Sequence, residues 1–155
     1  MKVFEINSDG ASSGNPGPSG IGVVIKCDGE TVKTVSEAIG ETTNNVAEYR
    51  ALIRGLAEAG ALGAEHIRLR TDSQLVFFQL KGDYAVRHPN MKPLHEEALG
   101  LLKSFKRVEF KVVPREENKE ADRLATSALK KDRTAGHDGR SDEVIFGEES
   151  PSSTG

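Results

Sequence analysis

Four acidic residues stand where regular hydrophobic segments begin or end, and their side chains could bind metal ions: Asp9, Glu48, Asp72 and Asp122. Asp9 and Asp72 each follow a short strand-like run, whereas Glu48 and Asp122 lie inside helix-like segments. Four carboxylates gathered at one point would repel one another, so a fold that gathers them needs divalent cations to neutralise them. The four acids therefore predict a metal-dependent phosphoryl-transfer site.

Strands and helices follow one another in an order that could bring these acids together. Hydrophobic periodicity predicts strands at 3–8, 20–27, 31–39, 67–71 and 108–112, and helices at 46–59, from 72 to about 80, at 94–105 and at 118–130. This order predicts an α/β fold with a five-stranded mixed sheet, three antiparallel strands followed by two parallel ones, flanked by helices. A crossover helix lets the first and fourth strands lie parallel and adjacent, which places Asp9 and Asp72 at neighbouring strand ends.

Two connections have a composition that indicates their backbone geometry. Asp28-Gly29 is typical of a tight hairpin turn between the second and third strands. Residues 10–20 are rich in Gly, Pro and Ser and are predicted to form a loop. This loop lacks the lysine of a P-loop, which excludes a nucleotide cradle of that kind.

Length and composition predict one folded domain followed by a tail. The chain has 155 residues, 36% of them hydrophobic and 29% charged, which is typical of a globular domain. We predict a catalytic domain at 1–131 and an acidic, Gly/Ser-rich tail at 132–155 that is mobile or packed back on the domain. The lone Cys27 excludes an intramolecular disulfide, and the histidines are not spaced for zinc.

The charge distribution allows a nucleic-acid partner despite a net charge of −3. Residues 81–133 carry 13 Lys and Arg against 9 Asp and Glu, so the acidity lies in the first half and in the tail. The chain begins without the pattern of a signal peptide and contains no apolar run long enough to span a membrane. The sequence therefore predicts a soluble cytoplasmic protein without a membrane partner.

Four sequence blocks carry a specific resemblance. Asp9–Gly17, Ala47–Leu52, Thr71–Val76 and Asn118–Ala125 resemble the signature blocks of type 1 ribonuclease H, in that family's order and over about residues 1–130. The resemblance implies an RNase H-like fold and endonucleolytic hydrolysis of the RNA strand of RNA–DNA hybrids, leaving 5′-phosphate and 3′-hydroxyl ends. It also implies two Mg²⁺ ions per site, with Mn²⁺ as a substitute, and a monomer with no obligate protein partner.

The resemblance assigns roles to the acids. Asp9 would bridge both ions, Asp122 would hold the ion that activates water, and Glu48 and Asp72 would hold the ion facing the leaving group. The alternative is that such acids are ordinary surface residues or helix caps, which is credible for Asp72 taken by itself but not for Asp9 at the end of an apolar strand.

The resemblance also implies substrate contacts. The neutral amides of Asn15, Asn44, Asn45 and Gln74 would contact the minor groove and sugars, and the backbone of the loop after Asp9 would approach 2′-hydroxyls. Thr43 and Asn45 could contact a phosphate of the DNA strand, or either could cap the following helix. The implied substrate-binding residues are Gly10, Ala11, Ser12, Ser13, Asn15, Thr43, Asn44, Asn45 and Gln74.

Two departures from the family pattern concern turnover and grip. Where many type 1 enzymes have a histidine before the last acid, this chain has Arg115, which either contacts phosphate or is a solvated surface residue; a guanidinium cannot act as a general base. The chain also lacks the basic, tryptophan-bearing protrusion of some relatives. Binding of the DNA strand would then depend on the short connection at 81–93, where the candidate contact residues are Lys81, Tyr84, Arg87, His88 and Lys92. The alternative is that this connection is a solvated loop with Tyr84 packed on the domain.

Three functions remain open from the residues. The leading prediction is a hybrid-specific ribonuclease. A noncatalytic hybrid-binding module is an alternative, although such a module would not need four clustered acids. A third is a related nuclease that also cleaves double-stranded RNA, because the amide side chains do not decide how strictly a deoxy strand is required.

Overall fold

Five strands and four α-helices form from the segments that the hydrophobic pattern indicates, as seen in a computed structural model that describes residues 2–138. The strands are β1 (Val3–Ser12), β2 (Gly17–Cys27), β3 (Glu30–Thr42), β4 (His66–Thr71) and β5 (Arg107–Val112). The α-helices are α1 (Asn44–Ala61), α2 (Gln74–Lys81), α3 (Lys92–Lys103) and α4 (Lys119–Asp138), and a 3-10 turn covers Arg115–Glu117.

The sheet has the order β3-β2-β1-β4-β5. β1 pairs antiparallel with β2 and parallel with β4, and β5 extends the parallel half. This arrangement confirms the predicted mixed sheet. The β2–β3 hairpin turns at Asp28 and Gly29, whose φ angles of 54° and 81° are those of the tight turn predicted there.

Helices cover both faces of the sheet. Ile6 and Val23 point toward α1, where Gly55 leaves room for both side chains. α4 packs on the other face, so close to β2 that a Cβ added at Gly22 would lie 2.1 Å from the carbonyl oxygen of Ala121. A glycine is therefore required at this position for α4 to lie where it does. Because Asp122 follows Ala121, this contact also fixes the depth of the fourth acid over the sheet.

The predicted loop at 10–20 is the main correction to the sequence interpretation. β1 continues through Asp9 to Ser12 and β2 begins at Gly17, so the connection is only four residues long. Composition indicated a loop because Gly, Pro and Ser are poor strand formers. The backbone nevertheless pairs, with Gly10 opposite Ile21 and Ala11 opposite Gly20. Asp9 thus lies inside a strand, one residue beyond the last parallel pair of Ser8 with Thr71.

Several helix ends differ from their predicted positions. α1 is longer at both ends than 46–59, α3 begins two residues before 94, and α4 runs to Asp138 rather than ending at Lys130. Of the predicted tail, residues 139–155 lie outside the described residues, so the tail's role stays a prediction. Within residues 2–138, no helix is both long and apolar enough to cross a membrane.

Candidate active site

Asp9 and Asp72 are brought together by strand pairing. β1 and β4 run parallel and adjacent, with Ser8 opposite Thr71, so the next residue of each chain segment is one of the two acids. Thr71 is buried, and its Oγ1 accepts a hydrogen bond of 3.1 Å from the backbone N–H of Ser73. This bond turns the chain out of β4 and into α2, and it leaves the Asp72 side chain beside Asp9.

Glu48 reaches the same point from α1. Thr43 caps this helix, with Oγ1 accepting from the N–H of Val46 at 3.3 Å, so the predicted capping role of Thr43 is confirmed. The helix lies directly on β1, since a Cβ added at Gly10 would be 2.3 Å from the carbonyl carbon of Ala47. The N–H of Gly10 donates to Glu48 Oε1 at 3.0 Å and so holds the carboxylate in place.

Asp9, Glu48 and Asp72 form the acid cluster: each offers a carboxylate oxygen, and these oxygens all lie within 4.8 Å of one another. Asp9 and Glu48 are buried, with exposed fractions of 4% and 8%. Burial, reinforced by the charges of Glu48 and Asp72, raises the pKa of Asp9 to about 10. Burial and the charge of Asp72 raise the pKa of Glu48 to about 8. Without cations, the ionised forms of Asp9 and Glu48 are therefore disfavoured.

This chemistry fits divalent metal ions. Closely spaced carboxylate oxygens are the ligands that Mg²⁺ and Mn²⁺ prefer, and a bound cation would offset the repulsion that adds to burial in raising both pKa values. Asp9, Glu48 and Asp72 are positioned to hold such an ion together.

Asp122 lies at the margin of the acid cluster, in the first turn of α4. It is close enough to hydrogen-bond with Asp9, and this bond and its charge add to the rise in the pKa of Asp9. Its side chain is 36% exposed, and Arg115 Nη2 lies 3.7 Å from its Oδ1. The fourth predicted acid is therefore next to the other three but on their solvent side.

Arg115 is the basic residue beside these acids. Its side chain is 80% exposed at the start of the 3-10 turn, and its charge lowers the pKa of Glu48 against the larger effect of burial. An exposed guanidinium of this kind has the geometry to bind a phosphate by charge-assisted hydrogen bonds.

The predicted substrate residues lie close to Asp9, Glu48 and Asp72 along the chain, at the end of β1, in the β1–β2 connection and at the starts of α1 and α2. The Asn15 side-chain oxygen accepts from the N–H of Asn44 at 2.9 Å, which ties the β1–β2 connection to the start of α1. Ser12 Oγ donates to the carbonyl of Thr42 at 3.0 Å. Exposed side chains in this set are Ser13, Asn15, Asn44 and Gln74, and half-buried ones are Ala11, Ser12, Thr43 and Asn45.

The connection after α2 has its own packing. Tyr84 is 48% exposed, and its ring centroid lies 5.0 Å from that of Phe78, so one part of the ring packs on the domain and the rest faces solvent. Lys81 lies over the rings of Phe77 and Phe78 and pairs with Asp83 at 3.6 Å. Arg87, His88 and Lys92 are exposed.

One residue at the site was not predicted. Asn118 is 1% exposed, and its side-chain amide contacts both Ser8 and Asp72. The sequence places Asn118 only at the start of a helix, where Asn is a common cap. Because an asparagine at such a position normally satisfies its own helix, nothing in the local pattern indicates contacts to two distant strands.

Comparisons with known proteins agree with this geometry. The family model described as "Reverse transcriptase-like" matches residues 7–128. The chain is 47% identical over 131 residues to Bifunctional protein Rv2228c of Mycobacterium tuberculosis, covering 83% of this chain and 36% of that protein. It is 44% identical over 122 residues to Ribonuclease HI of Halobacterium salinarum, covering 78% of this chain and 61% of that enzyme. The chain thus spans less than two thirds of the length of these relatives.

A solved structure extends the likeness to a complex. The crystal structure of LC11-RNase H1 with an RNA/DNA hybrid superposes with a TM-score of 0.77 at 37% identity, covering 86% of this chain and 99% of that one.

Proposed function

Because the chain belongs to the type 1 ribonuclease H family, we propose that it is an endoribonuclease that hydrolyses the RNA strand of RNA–DNA hybrids with divalent cations. The observation that carries the proposal is the acid cluster, whose carboxylate oxygens lie within 4.8 Å of one another. Buried acids that repel each other destabilise a fold, so their presence is best explained by the cations they bind. The likeness to LC11-RNase H1, which was solved with a hybrid, supports the choice of polymer.

The cations would be two Mg²⁺ ions, with Mn²⁺ as a substitute, held by Asp9, Glu48, Asp72 and Asp122. When bound, such ions activate water and stabilise the leaving 3′ oxygen of the RNA. Before they bind, Asp9 keeps a proton to high pH because burial raises its pKa to about 10. To hold a cation, this carboxylate would have to ionise and give up its proton.

Residues around the acids would orient the substrate. Attack by water forms a bond to phosphorus and breaks the bond to the 3′ oxygen, which requires the scissile phosphate to sit over the acid cluster in an in-line geometry. Arg115, exposed and 3.7 Å from Asp122, would contact that phosphate. Its permanent charge rules it out as the base that takes the proton from water.

Recognition of the RNA strand would rest on the rim of the site. The N–H of Gly10 already donates to Glu48. The 2′-hydroxyls would therefore contact the backbone of Ala11, Ser12 and Ser13 and the side-chain amides of Asn15 and Gln74. The amides of Asn44 and Asn45, at the start of α1, would contact the minor groove and sugars. Thr43 would combine its capping role with a contact to a phosphate of the DNA strand.

A direct comparison of substrates tests the proposal. The protein with Mg²⁺ is offered labelled RNA–DNA hybrid, double-stranded RNA and double-stranded DNA of one sequence. We expect cleavage of the RNA strand of the hybrid, with 5′-phosphate and 3′-hydroxyl ends, and no cleavage by Asp72→Asn. Equal cleavage of double-stranded RNA would replace the proposal with a less selective nuclease. Tight hybrid binding without cleavage would replace it with a binding module.

A further inference from the structure

Asn118 is a buried polar residue at the meeting point of β1, β4 and α4. It comes just before the first residue of α4 and is 1% exposed. A buried amide costs free energy unless its hydrogen-bonding groups are satisfied. The contacts of Asn118 therefore indicate why an amide occupies this place.

Both ends of the Asn118 side chain are used. Nδ2 donates to the carbonyl oxygen of Ser8 at 2.9 Å and to Asp72 Oδ2 at 3.4 Å. Oδ1 accepts from Asn7 Nδ2 at 3.1 Å. The reverse orientation of the amide would set its oxygen against a carbonyl and a carboxylate, neither of which can donate. The partners therefore fix which end of the amide faces Asp72.

The backbone of Asn118 makes hydrogen bonds to Asp122 and Arg115. Its carbonyl accepts from the N–H of Asp122 at 3.0 Å, which closes the first turn of α4, and its N–H donates to the carbonyl of Arg115 at 2.9 Å. Ser8, the strongest partner of the side chain, immediately precedes Asp9. Asn118 is therefore bonded to Asp72 and Asp122 themselves and to the neighbour of Asp9.

Asp72 depends on this amide for its orientation. Among the described residues, Asn118 is the only hydrogen-bond donor to the Asp72 carboxylate. Glu48 differs, since the backbone N–H of Gly10 holds it from within the α1–β1 contact. A half-buried carboxylate with a single donor turns easily when that donor is lost, and its oxygen then leaves the acid cluster.

We propose that Asn118 is a positioning residue that sets the divalent-cation affinity of the acid cluster by orienting Asp72 and by joining the strands and helix that carry Asp9 and Asp122. Donors that orient metal-ligating carboxylates commonly change affinity by about 10- to 100-fold when removed. The inference rests on the proposed function only in taking the acid cluster to be a cation site; it does not depend on which polymer is cleaved.

The first test compares Mn²⁺ binding by calorimetry, without nucleic acid, in the wild type, Asn118→Ala and Asn7→Ala. Asn7→Ala is the matched control, because it removes one hydrogen bond of the same amide but leaves the donor to Asp72. We expect Asn118→Ala to weaken Mn²⁺ binding about tenfold or more, and Asn7→Ala to change it less than about threefold. Unchanged affinity in Asn118→Ala, or an equal loss in Asn7→Ala, would overturn the proposal.

Cleavage kinetics separate positioning from a loss of folded protein. The activity of Asn118→Ala on hybrid should recover as Mn²⁺ is raised above its new dissociation constant, with an unchanged KM for hybrid. A merely structural defect would lower activity at every Mn²⁺ concentration, and that outcome would count against the proposal.

A measurement on the wild type covers the case in which Asn118→Ala does not fold. In ¹H–¹⁵N spectra, the side-chain amide signals of Asn118 should shift on saturation with Mg²⁺, and signals that do not move would overturn the proposal. The two proposals fail separately. A wild type that cleaves no hybrid refutes the proposed function even if Asn118→Ala loses Mn²⁺ affinity, whereas active wild type with normal Mn²⁺ binding in Asn118→Ala refutes only this inference.

Discussion

Two groups of charged side chains, one where β1, β4 and α1 meet and the other across β1, β4 and β5, are arranged in opposite ways. The acid cluster gathers three carboxylates, from within β1, from α1 and from the residue after β4, with raised pKa values for Asp9 and Glu48. A second group, the charge ladder, crosses the face of β1, β4 and β5 away from α1 and alternates acids with bases. Its members are Glu5, His66, Arg68, Arg70, Glu109 and Glu117.

Every acid of the charge ladder has a basic partner within 4.0 Å. Arg70 pairs with Glu117 at 2.9 Å and with Glu5 at 3.6 Å, and His66 contacts Glu109 at 2.6 Å. The hydrogen bond from His66, helped by the charge of Arg68, holds the pKa of Glu109 below its usual range. The comparison teaches that this protein balances charge where charge only covers a sheet, and leaves it unbalanced where the side chains could hold a cation.

The largest expected difference between the two groups is in catalysis. Glu48→Gln should lower the rate of hybrid cleavage about a thousandfold, because losing one metal ligand removes roughly 4 kcal/mol of transition-state stabilisation. Glu109→Gln makes the same chemical change in the charge ladder and should leave the rate within about threefold of wild type. Rates measured with saturating hybrid and Mg²⁺ decide this, and equal losses in the two variants would erase the distinction.

The next effect is on the stability of the metal-free protein. The pKa of Asp9 is raised on folding, so the folded state binds its proton more tightly than the unfolded chain does. Stability from this group is complete below the unfolded value near 4 and is lost as pH rises toward about 10. Asp9→Asn removes the ionisation and should therefore melt at a higher temperature than wild type in the presence of a chelator.

The pH dependence sharpens this prediction. The difference in melting temperature between Asp9→Asn and wild type should be small at pH 4 and grow up to pH 9, by about 2–4 °C for each kcal/mol. Glu5→Gln, in the charge ladder, should show no such gain, since Glu5 lies near Arg68 and Arg70. An Asp9→Asn variant that melts below wild type at pH 9 would contradict the idea that the buried charge of Asp9 destabilises the metal-free fold.

Arg115 is expected to have a smaller effect, since it meets the acids from solvent. Arg115→Ala should lower the cleavage rate about tenfold, because it removes one charge-assisted hydrogen bond to phosphate, which contributes roughly 1.4 kcal/mol. Arg70→Ala is the matched control from the charge ladder and should leave the rate unchanged. Unchanged turnover of Arg115→Ala at saturating hybrid would make Arg115 a surface residue.

The smallest expected effect is on stability within the charge ladder. Arg70→Ala breaks pairs with Glu5 and Glu117, and such partly exposed pairs contribute about 0.2–1 kcal/mol each. Urea unfolding with and without 1 M NaCl measures this, and salt should reduce the difference between variant and wild type. A loss well above 2 kcal/mol would mean that the charge ladder does more than cover the sheet.

The sequence was sufficient for the architecture and for the prediction that Asp9 and Asp72 lie side by side. Strand periodicity, the Asp28-Gly29 turn and the crossover helix predicted the sheet, because those signals are local. The same reasoning placed Asp9 next to Asp72, which the parallel pairing of Ser8 with Thr71 confirms.

Features that depend on distant parts of the chain could not be predicted. Gly10 and Gly22 read as loop formers or weak strand residues, yet each is the place where a helix lies against the sheet backbone. Asn118 read as a helix cap, because its contacts to Ser8 and Asp72 join residues more than forty positions apart. Likewise the burial of Glu48 follows from α1 packing on β1, and the helix pattern alone does not reveal it.

The most direct test of the central claim, that the acid cluster is a divalent-cation site, is a Mg²⁺ titration of the melting temperature without nucleic acid. Wild type and Glu5→Gln should be stabilised alike, by roughly 2.7 kcal/mol when Mg²⁺ reaches 100 times its dissociation constant, whereas Asp9→Asn should respond little. A wild type whose melting temperature does not change with Mg²⁺, or an Asp9→Asn variant that responds as strongly as wild type, would contradict the claim.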